Sequence, residues 1–564
     1  MKFKEMHQML SLRMALAVLV IGVGAGFFSY ALHESVYLAG EYFGTWKRFT
    51  PQTFIYSLVF VAISFVLTRF LFKDTGGSGI PQVKLALVAY KGKMPRRMPF
   101  GKFITTFFAL ISGLSFGKEG PMVTIGASWA HLVAHTLKMN RQITKLLVTS
   151  GATAGLAAAF NTPISAVVFT IEEVIGQLNT KYLGPIVVTS VIASVTSYKL
   201  LGNNSTFVSL HYKFHDEWQL ALYLSLGLIM SLIGVFFIKS VLFMKQLKMT
   251  YFQNYDYLYL IIAVMLTAFC SQYTSAILGD GAGMINILLK GDNVPLLKII
   301  LIIFVMKLVL ASTAYTTGLS GGIFMPVLFL GAVGGAAFGL FLQKMGVHKI
   351  EIGIFAMIGM TSLLVSVIRA PFTAFVMLFE MTKDYELILP LMSSSIVAFW
   401  LSSKIHPESI YESVAEYERV HLPTARDNDT LNEMVVEDCM VRDVMTLNAS
   451  DMVKEVVVQV NATVFGGFPV MRHGKLIGVV NRCEVNEKFK ADPECRLRDA
   501  ARYSVITIFP DQSLLVAMDK MKRFEIGRLP VVSRFSDKML LGIITPEDIV
   551  NYLGVSRQDE KIQN

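Results

Sequence analysis

Five long apolar runs, residues 14–32, 54–72, 217–243, 257–277 and 296–313, each approach the roughly 20 residues that a membrane-crossing helix needs. Between them lie apolar stretches that are cut short. Residues 103–116 end at Gly117 and a new apolar segment begins after Pro121, so neither piece is long enough to cross alone. A break at bilayer depth frees backbone N–H and C=O groups that lipid cannot satisfy, and it persists only where that backbone lines a polar cavity. Each break is therefore a candidate substrate site.

Composition agrees with a polytopic membrane protein: 53% of the 564 residues are hydrophobic, 16% are charged and the mean hydropathy is +0.54, which excludes an ordinary soluble core. The charge is uneven. The first 425 residues carry a net +12 and the remainder −2, so the membrane part has an excess of positive charge suited to cytoplasmic loops or to attracting anions. The opening MKFKEMHQMLSLR is basic without a small-residue cleavage site, which predicts a first membrane helix with its N-terminus inside. Cys270, Cys439, Cys483 and Cys495 lack metal-ligand spacing and are expected to be reduced thiols on the cytoplasmic side.

An internal repeat sharpens the candidate sites. GATAGLAAAFNTPISAVVFTIE (151–172) aligns without gaps on GMTSLLVSVIRAPFTAFVMLFE (359–380) at an offset of 208, and GKEGP (117–121) shares its Gly-x-x-x-Pro frame with GIFMP (322–326) at 205. Two halves with matching breaks are expected to meet at one midplane site, although identity alone does not say whether they are inverted. In GSGIP (77–81), GKEGP and GIFMP, glycines let backbone N–H groups turn to a common point, and each following helix offers unpaired N–H groups and the positive end of its dipole. That favours an anion. A cation site needs clustered carboxylates or carbonyls, and these breaks hold one acid, Glu119. The structural alternative is that Gly and Pro only kink packed helices.

In this order and spacing, GSGIP, GKEGP, AFNTP with its following IEE, and GIFMP make residues from about 10 to about 418 resemble the CLC family of chloride channels and chloride/proton exchangers. The resemblance implies a homodimer in the lipid bilayer, each subunit with its own pore built from inverted repeats of broken, unequal helices. It implies chloride at Ser78 and Gly79 of GSGIP, at the backbone of Ile323 and Phe324 of GIFMP, and at the hydroxyl of Tyr411 in HPESIYESV; serine rather than proline at 78 points to chloride over nitrate. Glu119 corresponds to the gating glutamate, whose carboxylate takes the anion's place when ionised and swings away when protonated. Lys118 adds positive potential near the pore, or snorkels to an interface. Glu173 matches the inner proton-transferring glutamate of many exchangers; a helix-end acid in a cytoplasmic salt bridge is the alternative, and it suits Glu172 better.

After about residue 425 the chain becomes polar. FPVMRHGKLIGVVNRCEV (468–485) resembles LPVVSRFSDKMLLGIITPEDIV (529–550), and the two look like a tandem pair of CBS domains, a soluble α/β module. Such pairs often bind an adenine nucleotide such as ATP; in GIITPED that implies Thr545 near phosphate and Asp548 on ribose, whereas the first repeat has Asn481 and Glu484. A purely supporting role is the alternative. The expected organisation is a CLC-type membrane domain at 1–425, with repeats at about 10–205 and 215–418, a linker at 426–436, and CBS domains at 437–490 and 497–554.

Other CBS-bearing classes fit poorly. A metalloprotease needs HExxH, and the His33-Glu34 pair continues Ser-Val-Tyr; a magnesium transporter needs an acidic pore, and this membrane part is basic. The expectation is a homodimeric chloride/proton exchanger of a bacterial inner (plasma) membrane with a cytoplasmic CBS tail, a passive voltage- or pH-gated chloride channel being the alternative. No enzymatic activity, required cofactor, metal or nucleic-acid partner is expected.

Overall fold

The computed structural model describes residues 2–88, 90, 92–176, 180–202, 218–253, 255–291, 293–417, 431, 434–463, 465–499, 505–524, 526–534, 536–549 and 552. The chain divides into two compact units, residues 1–423 and 424–564. The expected linker at 426–436 lies largely outside the described residues, as does the junction between the repeats at 205–215.

The described residues of the first unit form α1 (Lys2–Phe43), α2 (Pro51–Val66), α3 (Ile80–Val88), α4 (Met98–Ile111), α5 (Glu119–Thr136), α6 (Arg141–Phe160), α7 (Pro163–Phe169), α8 (Thr180–Leu201), α9 (Gln219–Tyr251), α10 (Asp256–Ser271), α11 (Ala282–Lys290), α12 (Leu297–Thr316), α13 (Phe324–Lys344), α14 (Ile352–Ile368), α15 (Pro371–Thr382), α16 (Ile388–Ile405) and α17 (Ile410–Tyr417). Eight helices among the described residues are long and apolar enough to cross a membrane. The order is duplicated: α9 to α16 repeat α1 to α8 element by element, and α17 stands alone. One apolar run is not a single span, because α10 stops at Ser271. Gln272 there turns its amide onto the Phe49 carbonyl at 2.9 Å, and a separate short turn covers Ser275–Ile277.

Small residues weld each half together. A Cβ on Gly126 would overlap the Gly151 carbonyl, one on Gly155 the Met122 carbonyl, and one on Gly359 the Gly331 carbonyl, so α5 on α6 and α13 on α14 pack backbone to backbone, as small residues allow between membrane helices. Substituting Gly155 by leucine is therefore expected to prevent assembly of the membrane domain, read as loss of the monodisperse peak in detergent. The two halves meet at Gly117 and Gly322, equivalent residues at the 205 offset: Gly117 N–H donates to the Gly322 carbonyl at 2.8 Å and Gly322 N–H returns the bond at 2.7 Å. A reciprocal antiparallel pair between equivalent residues is what a two-fold axis running between the halves requires.

In the second unit β1 (Leu447–Asn448) runs parallel to β2 (Gly467–Arg472), which pairs antiparallel with β3 (Lys475–Asn481). β4 (Leu529–Ser533) and β5 (Ser536–Ile544) form a second antiparallel pair. Val453, Val456 and Val460 of one helix pack on Phe468, Val470 and Val480, and Leu514, Ala517 and Met521 of another on Leu529, Val531 and Ile544. Helix-period and strand-period apolar residues thus bury one face each, giving two similar α/β cores.

Candidate anion site

The three sequence breaks converge. Gly77 N–H donates to the Leu319 carbonyl at 3.1 Å and Gly321 N–H to the Gly77 carbonyl at 3.3 Å, which fastens GSGIP to the segment leading into GIFMP. The Gly117–Gly322 pair fastens GKEGP to GIFMP itself. Glycine is required at Gly79, whose φ is +95° and whose Cβ would overlap Thr124 Oγ1. At Gly120 a Cβ would stand 2.8 Å from the Ser78 carbonyl oxygen, so GSGIP and GKEGP touch through backbone.

Glu119 is the first residue of α5, and Ile323 immediately precedes α13; neither helix has a side-chain cap. Their first-turn N–H groups are therefore open toward whatever occupies the junction. Glu119 itself does. Its carboxylate is 1% exposed and is faced by the backbone N–H groups of Glu119 and Met325. Among the described residues three buried groups have no hydrogen-bond partner at this centre: Glu119 Oε2, Ser78 Oγ and Tyr411 Oη. Buried polar atoms are seldom left unpaired. Tyr411 lies within electrostatic range of both Glu119 and Glu173, which ties the hydroxyl on α17 to both acids. Phe324 and Ile323 are buried beside this centre at the start of α13. Two hydroxyl donors and open helix N-termini, with one acid among them, suit an anion rather than a cation, and among the described residues no three His, Cys, Asp or Glu side chains gather to hold a metal.

Two lysines that sequence reasoning missed complete the arrangement. Lys102 of α4, fully buried, donates from Nζ to the carbonyls of Thr75 at 2.8 Å and Gly77 at 2.7 Å. Lys307 of α12, also fully buried, donates to Ile277 and Gly279, each at 2.8 Å, with Nζ 4.8 Å from the Phe329 ring centroid. The two lysines are equivalent at the 205 offset. Each binds the carbonyls of a break, leaving the amides of that break to face the other way. A lone lysine inside MPFGKFITTFF or LIIFVMKLVL was the available signal, since an ionisable residue within a membrane helix is functional by default.

The halves differ where the anion would sit. Gly77 and Gly79 with positive φ correspond to Gly279 and Gly281, which sets Asp280 opposite Ser78. Asp280 Oδ1 accepts from the Ala282 N–H at 3.0 Å, so the second break fills its own helix N-terminus with a carboxylate. The first leaves that place to Ser78.

At the far end of α7 a π-helical turn, Thr170–Ile175, turns the adjacent acids apart. Among the described residues Glu172 makes no salt bridge: it accepts from Phe372 N–H at 3.2 Å and from Thr373 N–H and Oγ1 at 2.8 and 2.7 Å, capping α15. Glu380, its equivalent, caps α7 through Ile164 and Ser165 at 3.0 and 2.9 Å, so this acid is a repeat feature and the salt-bridge alternative is wrong for it. Glu173 is buried and accepts from Lys84 Nζ at 2.7 Å, so the ion pair weighed as the alternative falls on this acid and not on Glu172. Lys118, half-buried and directly before Glu119, donates from Nζ to His33 Nδ1 at 2.9 Å.

In the tail, Thr545 donates from N–H and Oγ1 to Asp548 Oδ2 at 2.8 and 2.7 Å, and Asn481 N–H donates to Glu484 Oε2 at 2.8 Å. Both are helix-capping arrangements. Burial, with Asp548 and Asp438 adding to it, pushes the Cys439 thiol up to about 11, so that thiol stays protonated.

The geometry has clear counterparts. The family model for the voltage gated chloride channel matches residues 58–403, and the CBS domain model matches 436–490 and 497–555. The H(+)/Cl(-) exchange transporter ClcA of Vibrio cholerae is 28% identical over 412 residues, covering 70% of this chain and 87% of the relative; that of Salmonella typhi is 31% identical over 377 residues, covering 64% and 78%. Among solved structures, a slow cyanobacterial Cl−/H+ antiporter superposes with TM-score 0.66 at 24% identity, covering 72% of this chain and 98% of that one. A eukaryotic CLC transporter superposes with TM-score 0.68 at 20% identity over 96% and 98%. By its repeats, its converging breaks and these matches, the chain belongs to the voltage gated chloride channel, or CLC, family and carries a CBS pair behind the membrane domain.

Proposed function

We propose that the protein is a secondary-active chloride/proton exchanger in which chloride and the carboxylate of Glu119 compete for one seat at the open N-termini of α5 and α13. The carrying observation is the set of three buried, unpartnered groups, Ser78 Oγ, Tyr411 Oη and Glu119 Oε2: two donors in want of an acceptor, and an acid near them. Chloride entering from the Ser78 side satisfies the hydroxyls and the N–H groups of Ile323 and Phe324. It displaces an acid that becomes a poor competitor once protonated, so a proton and a chloride trade places. Glu173 supplies the second carboxylate that an exchanger needs to pass protons from the opposite side, and Lys118 adds positive potential beside the gate. The names of the curated relatives support exchange over passive conduction.

The same proposal places the protein in a bacterial inner membrane as a homodimer, with the tail cytoplasmic, and divides it near residue 425 into the membrane domain and the CBS pair. An adenine nucleotide at Thr545 and Asp548 is the accompanying reading for the tail. It rests on the CBS match, and binding there requires Asp548 to release its cap on Thr545. No enzymatic step is assigned.

Two results test the proposal. In proteoliposomes under a pH gradient, the reversal potential is expected to depart from the chloride equilibrium value; coincidence with it would mean a channel. Ser78→Ala and Tyr411→Phe are each expected to weaken chloride binding about tenfold by isothermal titration, the loss of one hydrogen bond to a charged group. Undiminished affinity in both would put the anion elsewhere.

A further inference from the structure

Among the described residues, anion binding leaves one buried lysine without a role. Lys84 lies on α3 with its side chain 5% exposed, its Nζ 2.7 Å from Glu173 Oε1 and 3.9 Å from Glu412 Oε1. Burying an ion pair adds little stability over apolar side chains filling the same space, and this chain contains the comparison. With Gly77 and Gly79 matched to Gly279 and Gly281, Ile80 and Ala282 both open their helices and Lys84 corresponds to Asn286. The 208 offset matches Glu173 to Met381. The second half keeps the scaffold and drops both charges together, so the pair is not what the fold demands.

Its position is informative. Lys84 shares a short segment with Ser78, and Glu412 directly follows Tyr411, so each hydroxyl flanking the anion lies close along the chain to a member of this triad. Glu412 Oε2 accepts from the Ser409 N–H at 2.9 Å, which leaves Oε1 toward Lys84. The groups facing Glu173 are Lys84 from α3, Glu412 and Tyr411 from α17, and Glu172 from its own turn; Glu172 is held by α15.

We propose that Lys84 is a positioning residue of the inner proton step, its ammonium holding the Glu173 carboxylate in place and passing to Glu412 once Glu173 is protonated. This rests on the exchanger reading. The triad carries one positive and two negative charges. A proton from water neutralises Glu173, and the remaining charged partner of Lys84 is Glu412, on the helix that carries Tyr411. Proton arrival at Glu173 is thereby felt at a chloride-facing hydroxyl.

The test uses the full-length protein in proteoliposomes, measuring reversal potential under a pH gradient together with chloride flux. Lys84→Met is expected to move the potential most of the way to chloride equilibrium while chloride still flows. Lys84→Arg is expected to keep the wild-type potential, and Glu412→Gln to keep it with several-fold slower turnover. Should Lys84→Met not fold, Lys84→Asn, which copies the second half, carries the same expectation. A coupled wild type with an equally coupled Lys84→Met or Lys84→Asn overturns this role and leaves exchange standing. A wild type that already reverses at chloride equilibrium overturns exchange and this proposal with it.

Discussion

Glu119→Gln is expected to abolish proton coupling while chloride continues to flow. Glutamine keeps the shape of the side chain at the start of α5 but carries no titratable proton and no charge. The wild-type carboxylate lies buried against open helix N-termini, one oxygen unpartnered, where any anion is favoured. A neutral amide cannot hold that seat against chloride, so the seat passes to the ion. If the carboxylate occupies it ~90% of the time, its removal tightens apparent chloride binding ~tenfold. The reversal potential under a pH gradient should fall on the chloride value. Protonation removes the competitor in the wild type, so wild-type chloride transport should rise as pH falls, and the variant should lose that dependence. Continued proton uptake driven by a chloride gradient in Glu119→Gln would remove this residue from the gate.

Much of this centre was legible because its chemistry is backbone chemistry, and glycine and proline announce it. GSGIP, GKEGP and GIFMP mark where helices break, and the constant offsets say that the breaks belong to one duplicated design. The repeat reached further than identity revealed: Lys102 and Lys307, and the asymmetric pair Ser78 and Asp280, correspond in space although their surroundings share few letters. Glu172 and Glu173 show the limit of reading neighbours. Adjacent acids at the end of an apolar run look alike in sequence, and only the π-helical turn, which turns them apart, sends one to cap α15 and the other to Lys84. The Lys84 pairing was not readable at all, since it joins residues 89 positions apart through tertiary packing.

The second large effect expected is a difference between two equivalent lysines. Lys102→Met and Lys307→Met should both destabilise the protein, because the first leaves the Thr75 carbonyl without a donor and Gly77 with only the Gly321 N–H, and the second leaves the Ile277 and Gly279 carbonyls without their donor, at about 1–3 kcal/mol per orphaned group. Part of that is offset by no longer burying a charge, so a net loss of about 2–4 kcal/mol, read as a lower Tm in detergent, is expected of both. Chloride affinity should separate them. The Lys102 ammonium binds the carbonyl just before Ser78, and a charge ~7 Å from an anion at an effective dielectric of ~20 contributes about 2 kcal/mol; with ions and water screening part of it, Lys102→Met should bind chloride about tenfold more weakly. Lys307 has Asp280 as an opposite charge, on a break whose helix end that carboxylate already caps. The pair is nearly neutral seen from the anion, so removing both charges together, Lys307→Met with Asp280→Asn, should leave chloride affinity almost unchanged. Equal losses of affinity in Lys102→Met and in the Lys307→Met/Asp280→Asn double variant would mean that the lysines act on the fold alone, and that the duplicated breaks do not divide into one that receives the ion and one that is closed by its own acid.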